Sequence, residues 1–225
     1  TDANTTFNVE DTAANILAAS TAVLGDAGTI TVKDDAVSIA VAKQIAAFDT
    51  ANSTFSVQPV SIEDTGAALL QAANSATVSA ATKVTASDAL SATQATALIA
   101  LNANSEYDVS GTYASLGVSS NLAATNAANN VIVTNSVSAA QGAVITGWDD
   151  AGTDVTFSIS DTAANIHGVS STVREAASTI TVSSTATVAQ AGSLSEVASS
   201  IVGGYTITDS YTAVSDALNT VNGSG

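Results

Sequence analysis

The chain has no cysteine and no methionine, one proline, one histidine and one tryptophan. Without cysteine there is no disulfide framework, no thiol nucleophile and no cysteine-based zinc site. An oxidising compartment is therefore neither required nor excluded. Basic side chains are scarce as well: Lys33, Lys43, Lys83 and Arg174 stand against 20 acidic residues, for a net charge of −16. Nucleic-acid binding neutralises several phosphates with Lys or Arg, and four scattered cations cannot do that. An anionic membrane surface repels such a chain. No run of 18 apolar residues is present, so no membrane insertion by a helix is expected. A basic segment followed by an apolar stretch is missing, as is an initiator Met, which points to a processed protein or an excerpt of a longer one.

Charged residues make up 11% of the 225-residue chain, against about 25% in ordinary domains. Ser, Thr and Asn take their place. Aromatics are 4%, and most of the 46% apolar content is Ala and Val. Such a core has thin layers and closely approaching backbones. With a mean hydropathy of +0.33, the chain buries surface instead of staying disordered.

What is present is a repeat. Phe7-Asn8-Val9-Glu10-Asp11-Thr12-Ala13-Ala14-Asn15-Ile16 returns as Phe157-Ser158-Ile159-Ser160-Asp161-Thr162-Ala163-Ala164-Asn165-Ile166, and more weakly as Val60-Ser61-Ile62-Glu63-Asp64-Thr65-Gly66-Ala67-Ala68-Leu69. Each copy opens apolar-polar-apolar, as a half-buried strand does, and continues with Asp-Thr and an alanine-rich run, as a helix start does. Anchored on the second apolar residue, nine units align at Val9, Val32, Ile62, Ala86, Val109, Val133, Ile159, Val182 and Ile207, a mean spacing near 25. They start near residues 6, 29, 54, 83, 106, 130, 156, 179 and 204. Two residues beyond the anchors stand Asp11, Asp34, Asp64, Asp88, Gly111, Asn135, Asp161, Ser184 and Asp209, all of types favoured at helix caps or turns.

The units alternate. Odd units mostly carry an aromatic in the strand: Phe7, Tyr107, Phe157 and Tyr205. Even units carry Ile30, Val84, Val131 and Ile180 there and start their helix later. Three even units show a capping-box pattern, Ser91…Gln94, Ser138…Gln141 and Thr187…Gln190, in which the hydroxyl and the amide each satisfy an orphan backbone donor. The full repeat is thus a pair of about 49 residues. The only proline, Pro59, marks a bulge or edge where strand pairing stops.

Strands spaced this way and followed by helices are parallel, with right-handed crossovers. The residue between the two apolar strand positions is mostly polar, so one sheet face is wet and the helices lie on the other. The expected fold is an α/β, single-sided solenoid of strand-helix units in one repeat domain, residues 1–225. The alternative is an all-β solenoid in which the even units are strands and turns.

The Asp-Thr-Ala-Ala-Asn-Ile motif after an alternating strand, paired with the Thr187-Val188-Ala189-Gln190-Ala191 type of unit, resembles repeats of very large secreted bacterial surface proteins, adhesin-like or surface-layer-like. The resemblance covers nearly the whole chain and is strongest at residues 6–48 and 155–204. Gly111-Thr112-Tyr113-Ala114 departs from it, and the glycine-rich calcium nonapeptides that often accompany such chains are missing. It implies an extracellular or cell-surface location and a passive structural role.

Candidate chemistry is sparse. His167 alone cannot form a two-His metal site, and no G-x-S-x-G elbow accompanies it. Asp11, Asp64 and Asp161 are acid-base candidates, but each sits where a strand turns into a helix and reads as an N-cap. Asn15 and Asn165 read as bonding neighbouring turns. Asp149-Asp150 and Asp34-Asp35 are the places for calcium, although neither has EF-hand spacing and both read as solvated acidic turns. Trp148 is either a carbohydrate platform or, the preferred reading, a cap on the core beneath it. Thr29-Ile30-Thr31, Thr179-Ile180-Thr181 and Thr206-Ile207-Thr208 suggest an ice-binding row, broken by the units between them. No catalytic, cofactor or metal site is assigned, and no enzyme is expected. The leading reading is a structural or assembly module that associates end to end through the edge of its first or last strand, or packs on neighbouring repeats of its parent chain. The alternative is an adhesive glycan- or surface-binding module.

Overall fold

The structure, a computed structural model, describes residues 7–20, 24–51, 56–148 and 154–222. Among these residues it is a mixed α/β protein, with twelve short α-helices and eleven short strands whose pairings are all parallel. No sheet among the described residues closes into a barrel. The all-β alternative fails because the Ser/Thr-rich even units carry helices, at Ile39–Ala51, Ala92–Leu101, Ala139–Ile145 and Val188–Ser195. Their apolar residues recur at helical spacing, and the hydroxyls before them satisfy the first free N–H groups.

The chain divides into two compact units, Thr1–Asp108 and Val109–Gly225. In the first, β1 (Phe7–Asp11), β2 (Ala27–Val32) and β3 (Ser56–Val57) form one sheet, and β4 (Ile62–Asp64), β5 (Val84–Ala86) and β6 (Ser105–Glu106) a second. An isolated bridge, Val37 to Ile62, ties the two together. The third repeat therefore leaves one sheet and enters the next, and Pro59 lies in the gap. Gln58 N–H still bonds Ile30 O at 2.9 Å, and pairing resumes with Ile62 N–H on Lys83 O at 2.9 Å. The proline, lacking a donor, sits where none is needed.

The second unit repeats the pattern. Its first sheet is β7 (Val109–Gly111), β8 (Asn130–Val133) and β9 (Asp154–Thr156), and its second is β10 (Ser158–Asp161) with β11 (Thr179–Val182). Bridges join Val137 to Ile159, Ile180 to Ile201 and Ala186 to Ile207. Here the step between sheets falls at Phe157, without a proline.

The register differs by two residues from an alignment of like anchors. Val9 faces Ile30, Ile62 faces Val84, Val109 faces Val131 and Ile159 faces Ile180. A two-residue slip keeps every side chain on its own face, so the hydrophobic pattern alone does not distinguish the registers.

Three odd helices bury their first and fourth residues: Ala13 and Ile16, Gly66 and Leu69, Ala163 and Ile166. Three even helices bury every third residue: Ile39, Ala42 and Ile45, then Ala92, Ala95 and Leu98, then Ala139, Gly142 and Ile145. Small residues in these stripes bring backbone close to strand. A Cβ on Gly142 would lie 3.1 Å from Phe157 and 3.3 Å from both Ile159 and Val173.

The expected column of strand residues is largely buried. Ile30, Val84, Val131 and Ile180 are fully covered, as are Tyr107 and Phe157. Tyr205 is half-buried. Phe7 departs from the expectation and is 44% exposed. It sits at the end of an edge strand, and the pairing slips between Phe7 and Asn8, so no second strand among the described residues covers it. Among the anchors, Ile62, Val109, Val133 and Ile159 are buried, Val9, Val32, Ala86 and Val182 are half-buried, and Ile207 is 49% exposed. Ile207 belongs to a single bridge, so only one side of it is covered. The intervening polar residues lie on the wet face, with Asn8, Thr181 and Thr206 exposed.

Candidate functional site

The recurring polar residue two places beyond each anchor is where most of the candidate chemistry converges. In seven of the nine repeats it reaches across to the preceding repeat; Asp11 bonds within its own repeat, and Gly111 has no side chain to offer. In the first unit Asp34 accepts from Ala13 N–H at 2.6 Å, Asp64 from Ile39 N–H at 3.1 Å and Asp88 from Gly66 N–H at 2.6 Å. In the second, Asn135 accepts from Tyr113 N–H at 2.8 Å, Asp161 from Ala139 N–H at 2.9 Å, Ser184 from Ala163 N–H at 3.0 Å and Asp209 from Val188 N–H at 3.0 Å. Each donor opens a helix, where backbone N–H groups lack internal partners and the helix dipole favours an acceptor.

The expectation that Asp11, Asp64 and Asp161 are themselves N-caps is corrected by one residue. The N-caps are Thr12, Thr65 and Thr162, with Thr112 in the unit that has Gly111. A threonine at this place has extended backbone and a hydroxyl in reach of the third helical N–H. The aspartates orient the caps: Asp11, Asp64 and Asp161 each accept the N–H of the following threonine at 2.8 Å. Asn15 and Asn165 donate to Asp11 and Asp161 at 2.7 Å, as expected of turn-bonding amides.

These bonds set the electrostatics. The Asn15 amide and the Thr12 N–H hold the Asp11 carboxyl below its ordinary value. Burial pushes Asp161 up, but the bonds from Asn165, Ala139 and Thr162 together outweigh it and leave that carboxyl lowered too. Asp209 is lowered by the N–H groups of Val188 and Ser210. A carboxylate held ionised by helix-start donors is a poor general acid and an effective clamp.

All three expected capping boxes form, at Ser91/Gln94, Ser138/Gln141 and Thr187/Gln190. His167 is exposed, and its Nδ1 lies 2.8 Å from Ser193 Oγ. Asp34 is committed to its cap, and Asp35 is exposed beside it. Asp149 and Asp150 lie outside the described residues. Among the described residues, no group of three or more His, Asp or Glu converges as a metal site, and no helix is long and apolar enough to cross a membrane. Trp148 is 5% exposed and stacks on Tyr113 with ring centroids 5.8 Å apart, as a core cap does. Thr179 and Thr181 stand beside Ser158 and Ser160, so the threonine row is interrupted by serine. An open groove lined by Ala42, Ile45, Val57 and Pro59 contains one carboxylate, Asp49, which is already bonded to Val57 N–H at 2.8 Å.

Sequence reasoning did not find four buried polar residues, of which Thr125 donates its hydroxyl to Leu116 O at 3.1 Å. Asn102 donates to Val78 O and Ala81 O, both at 2.9 Å, and pins a helix end. Asn74 bonds Ala68 O at 2.7 Å and receives Lys43 at 3.1 Å. Arg174, 6% exposed, pairs with Glu196 at 2.9 Å. The only sequence signal for Arg174 was its rarity among basic residues. No protein-family model matches the chain, and neither a curated protein nor a solved structure matches it.

Proposed function

We propose that the chain is a non-enzymatic structural or assembly module of an extracellular bacterial surface protein. In this reading it is a single-sided α/β solenoid of units of about 25 residues, 49 per pair, and it polymerises end to end into a fibre, sheath or surface layer. The observation that carries it is the chain of cross-repeat caps: seven polar side chains, each two residues past an anchor, bond a helix start 21–25 residues away. Of the three candidate acid-base carboxylates, Asp64 and Asp161 join repeats, and Asp11 orients the cap of its own helix. The bacterial surface enters through the Asp-Thr-Ala-Ala-Asn-Ile repeats, which resemble those of large secreted surface proteins. No cofactor or metal belongs to the reading. Electron microscopy and light scattering of the native protein test it. Assemblies that grow with protein concentration are expected, and a strict monomer that binds a defined sugar on a glycan array would replace it with the adhesive reading.

A further inference from the structure

Among the described residues, the first and last repeats expose surfaces that match each other. We propose that Phe7–Asp11 of one copy of this chain docks as the next strand beside Thr206–Asp209 of a second copy, and that its Asp11 caps the helix Tyr211–Asn222 there. This rests on the self-assembly reading above and gives it a register.

The last repeat exposes what earlier repeats cover. Ile62 is bridged by Val37 on one side and Val84 on the other, and Ile159 by Val137 and Ile180. Both are at most 1% exposed. Ile207 has Ala186 alone among the described residues and is 49% exposed. Tyr211 holds the position of Ala13, Gly66 and Ala163, which are buried, yet it is 89% exposed. In those three repeats the N–H at this position is capped by Asp34, Asp88 or Ser184 of the strand that follows. Tyr211 N–H meets no acceptor among the described residues, although it opens a helix of 12 residues.

The first repeat exposes the complement. Among the described residues, β1 is the edge of its sheet and pairs with β2 alone. Both hydrogen bonds that Asp11 accepts fall on Oδ1, so its Oδ2 is unused among the described residues. Phe7 is 44% exposed.

The two surfaces fit in one register. A strand that follows an odd repeat reads Ile30-Thr31-Val32-Lys33-Asp34, Val84-Thr85-Ala86-Ser87-Asp88 or Ile180-Thr181-Val182-Ser183-Ser184. Its first residue faces the odd anchor. The N–H of its fourth residue bonds the odd strand, as Lys33 does to Asp11 O and Ser183 to Asp161 O, both at 2.8 Å. Its fifth residue caps the helix. Phe7-Asn8-Val9-Glu10-Asp11 has the same order. With Phe7 opposite Ile207, Glu10 N–H meets Asp209 O and Asp11 Oδ2 meets Tyr211 N–H. A slip of two residues in either direction loses the cap. Repulsion between copies of charge −16 opposes the contact, so added salt strengthens it.

The test uses the full chain, whose lack of native cysteine makes single-cysteine variants clean. In this register Asn8 stands opposite Thr208. Asn8→Cys and Thr208→Cys proteins are oxidised separately and mixed, across a range of concentration and salt. Disulfide dimers form in the mixture, and each variant alone gives few. Asp11→Asn keeps the Oδ1 bonds, removes the Oδ2 acceptor and weakens association about fivefold, with circular dichroism melting to check that the variant is folded. Assembly without the mixed disulfide, or with 8–8 and 208–208 dimers equally abundant, overturns the register and leaves the self-assembly reading standing. An Asp11→Asn chain that associates as well as the parent overturns the cap. A chain that stays monomeric at every concentration and salt overturns both, and the exposed edges then await a segment of a longer parent chain.

Discussion

Replacing Asp161 with alanine tests the cross-repeat cap most directly. Asp161 accepts Thr162 N–H at 2.8 Å, Ala139 N–H at 2.9 Å and the Asn165 amide at 2.7 Å. The substitution leaves two helix-start donors without an acceptor, in two different repeats. One lost cap costs about 0.5–2 kcal/mol. Because the site is half-exposed and water partly replaces the carboxylate, we expect a loss of about 2 kcal/mol for the pair. Ser184→Ala removes one cross-repeat cap, on Ala163 N–H, and should cost about 1 kcal/mol. Asn165→Ala removes one exposed amide bond and should cost about 0.5 kcal/mol. Urea unfolding, followed by far-UV circular dichroism and by the fluorescence of Trp148, gives the order. The pH profile supplies a second check. The Asp161 carboxyl is lowered from its ordinary 3.8 when folded, so on acidification the unfolded chain takes up the proton first. Its contribution is whole above about pH 4–5 and is lost as pH falls through the folded value, and Asp161→Ala should flatten the profile in that window. An Asp161→Ala chain no less stable than Asn165→Ala would refute the cap. A chelator that destabilised the parent but not Asp161→Ala would make Asp161 a metal ligand instead.

Three further outcomes follow from the packing. Phe157→Ala should cost about 3–5 kcal/mol, because the ring is 1% exposed. Phe7→Ala, at the equivalent position of the edge strand, should cost about 1 kcal/mol or less, and equal losses in urea would show that β1 is covered on both sides. Gly142→Ala adds a methyl at 3.1–3.3 Å from Phe157, Ile159 and Val173; overpacking of about 1–3 kcal/mol outweighs a helix-propensity gain of about 1 kcal/mol, so thermal melting should show a lower Tm. Tyr107 is 2% exposed, and burial raises its phenol from 10.0 to about 12. Its stabilising contribution is whole below pH 10 and is lost between 10 and 12, so alkaline unfolding should coincide with phenolate absorbance and shift upward in Tyr107→Phe.

The parts of this architecture that read directly from sequence are those set by neighbours a few residues apart. The capping boxes formed as expected because Ser138 and Gln141 are three residues apart and one helical turn brings them together. Strand and helix alternated as expected because Phe157-Ser158-Ile159 and Ala163…Ile166 show two different periods within ten residues. The cross-repeat bonds lie 21–25 residues apart, and a recurring aspartate is compatible with capping its own helix or another's. Only the register of the strands decides between these, and a two-residue slip leaves the faces unchanged. Exposure of Phe7 was also illegible, because it depends on whether a second strand lies beside β1 and not on β1 itself. The Arg174–Glu196 pair joins residues 22 positions apart with no pattern around either.

The same geometry explains why odd and even repeats differ in sequence. Every N-cap residue has a backbone N–H of its own that needs an acceptor. Three of the four even repeats supply it with glutamine three residues on: Gln94 accepts Ser91 N–H, Gln141 accepts Ser138 N–H and Gln190 accepts Thr187 N–H, each at 2.9 Å; the first, which starts its helix after Ser38, has Val41 there instead. Odd repeats have no glutamine there and use the aspartate just before the cap, as Asp64 does for Thr65 and Asp209 for Ser210. That aspartate must also reach the preceding even helix, through its other oxygen. Two acceptors aimed in two directions require a carboxylate, and the odd repeats carry Asp11, Asp64, Asp161 and Asp209, with Gly111 the exception. The residue at the matching place in even repeats serves one donor only, the preceding odd helix. One acceptor atom is enough, and asparagine or serine provides it as well as aspartate does: Asp34, Asp88, Asn135 and Ser184 all fill the role. The preference for aspartate at one position, from which Gly111 departs, and the latitude of the other thus follow from counting donors.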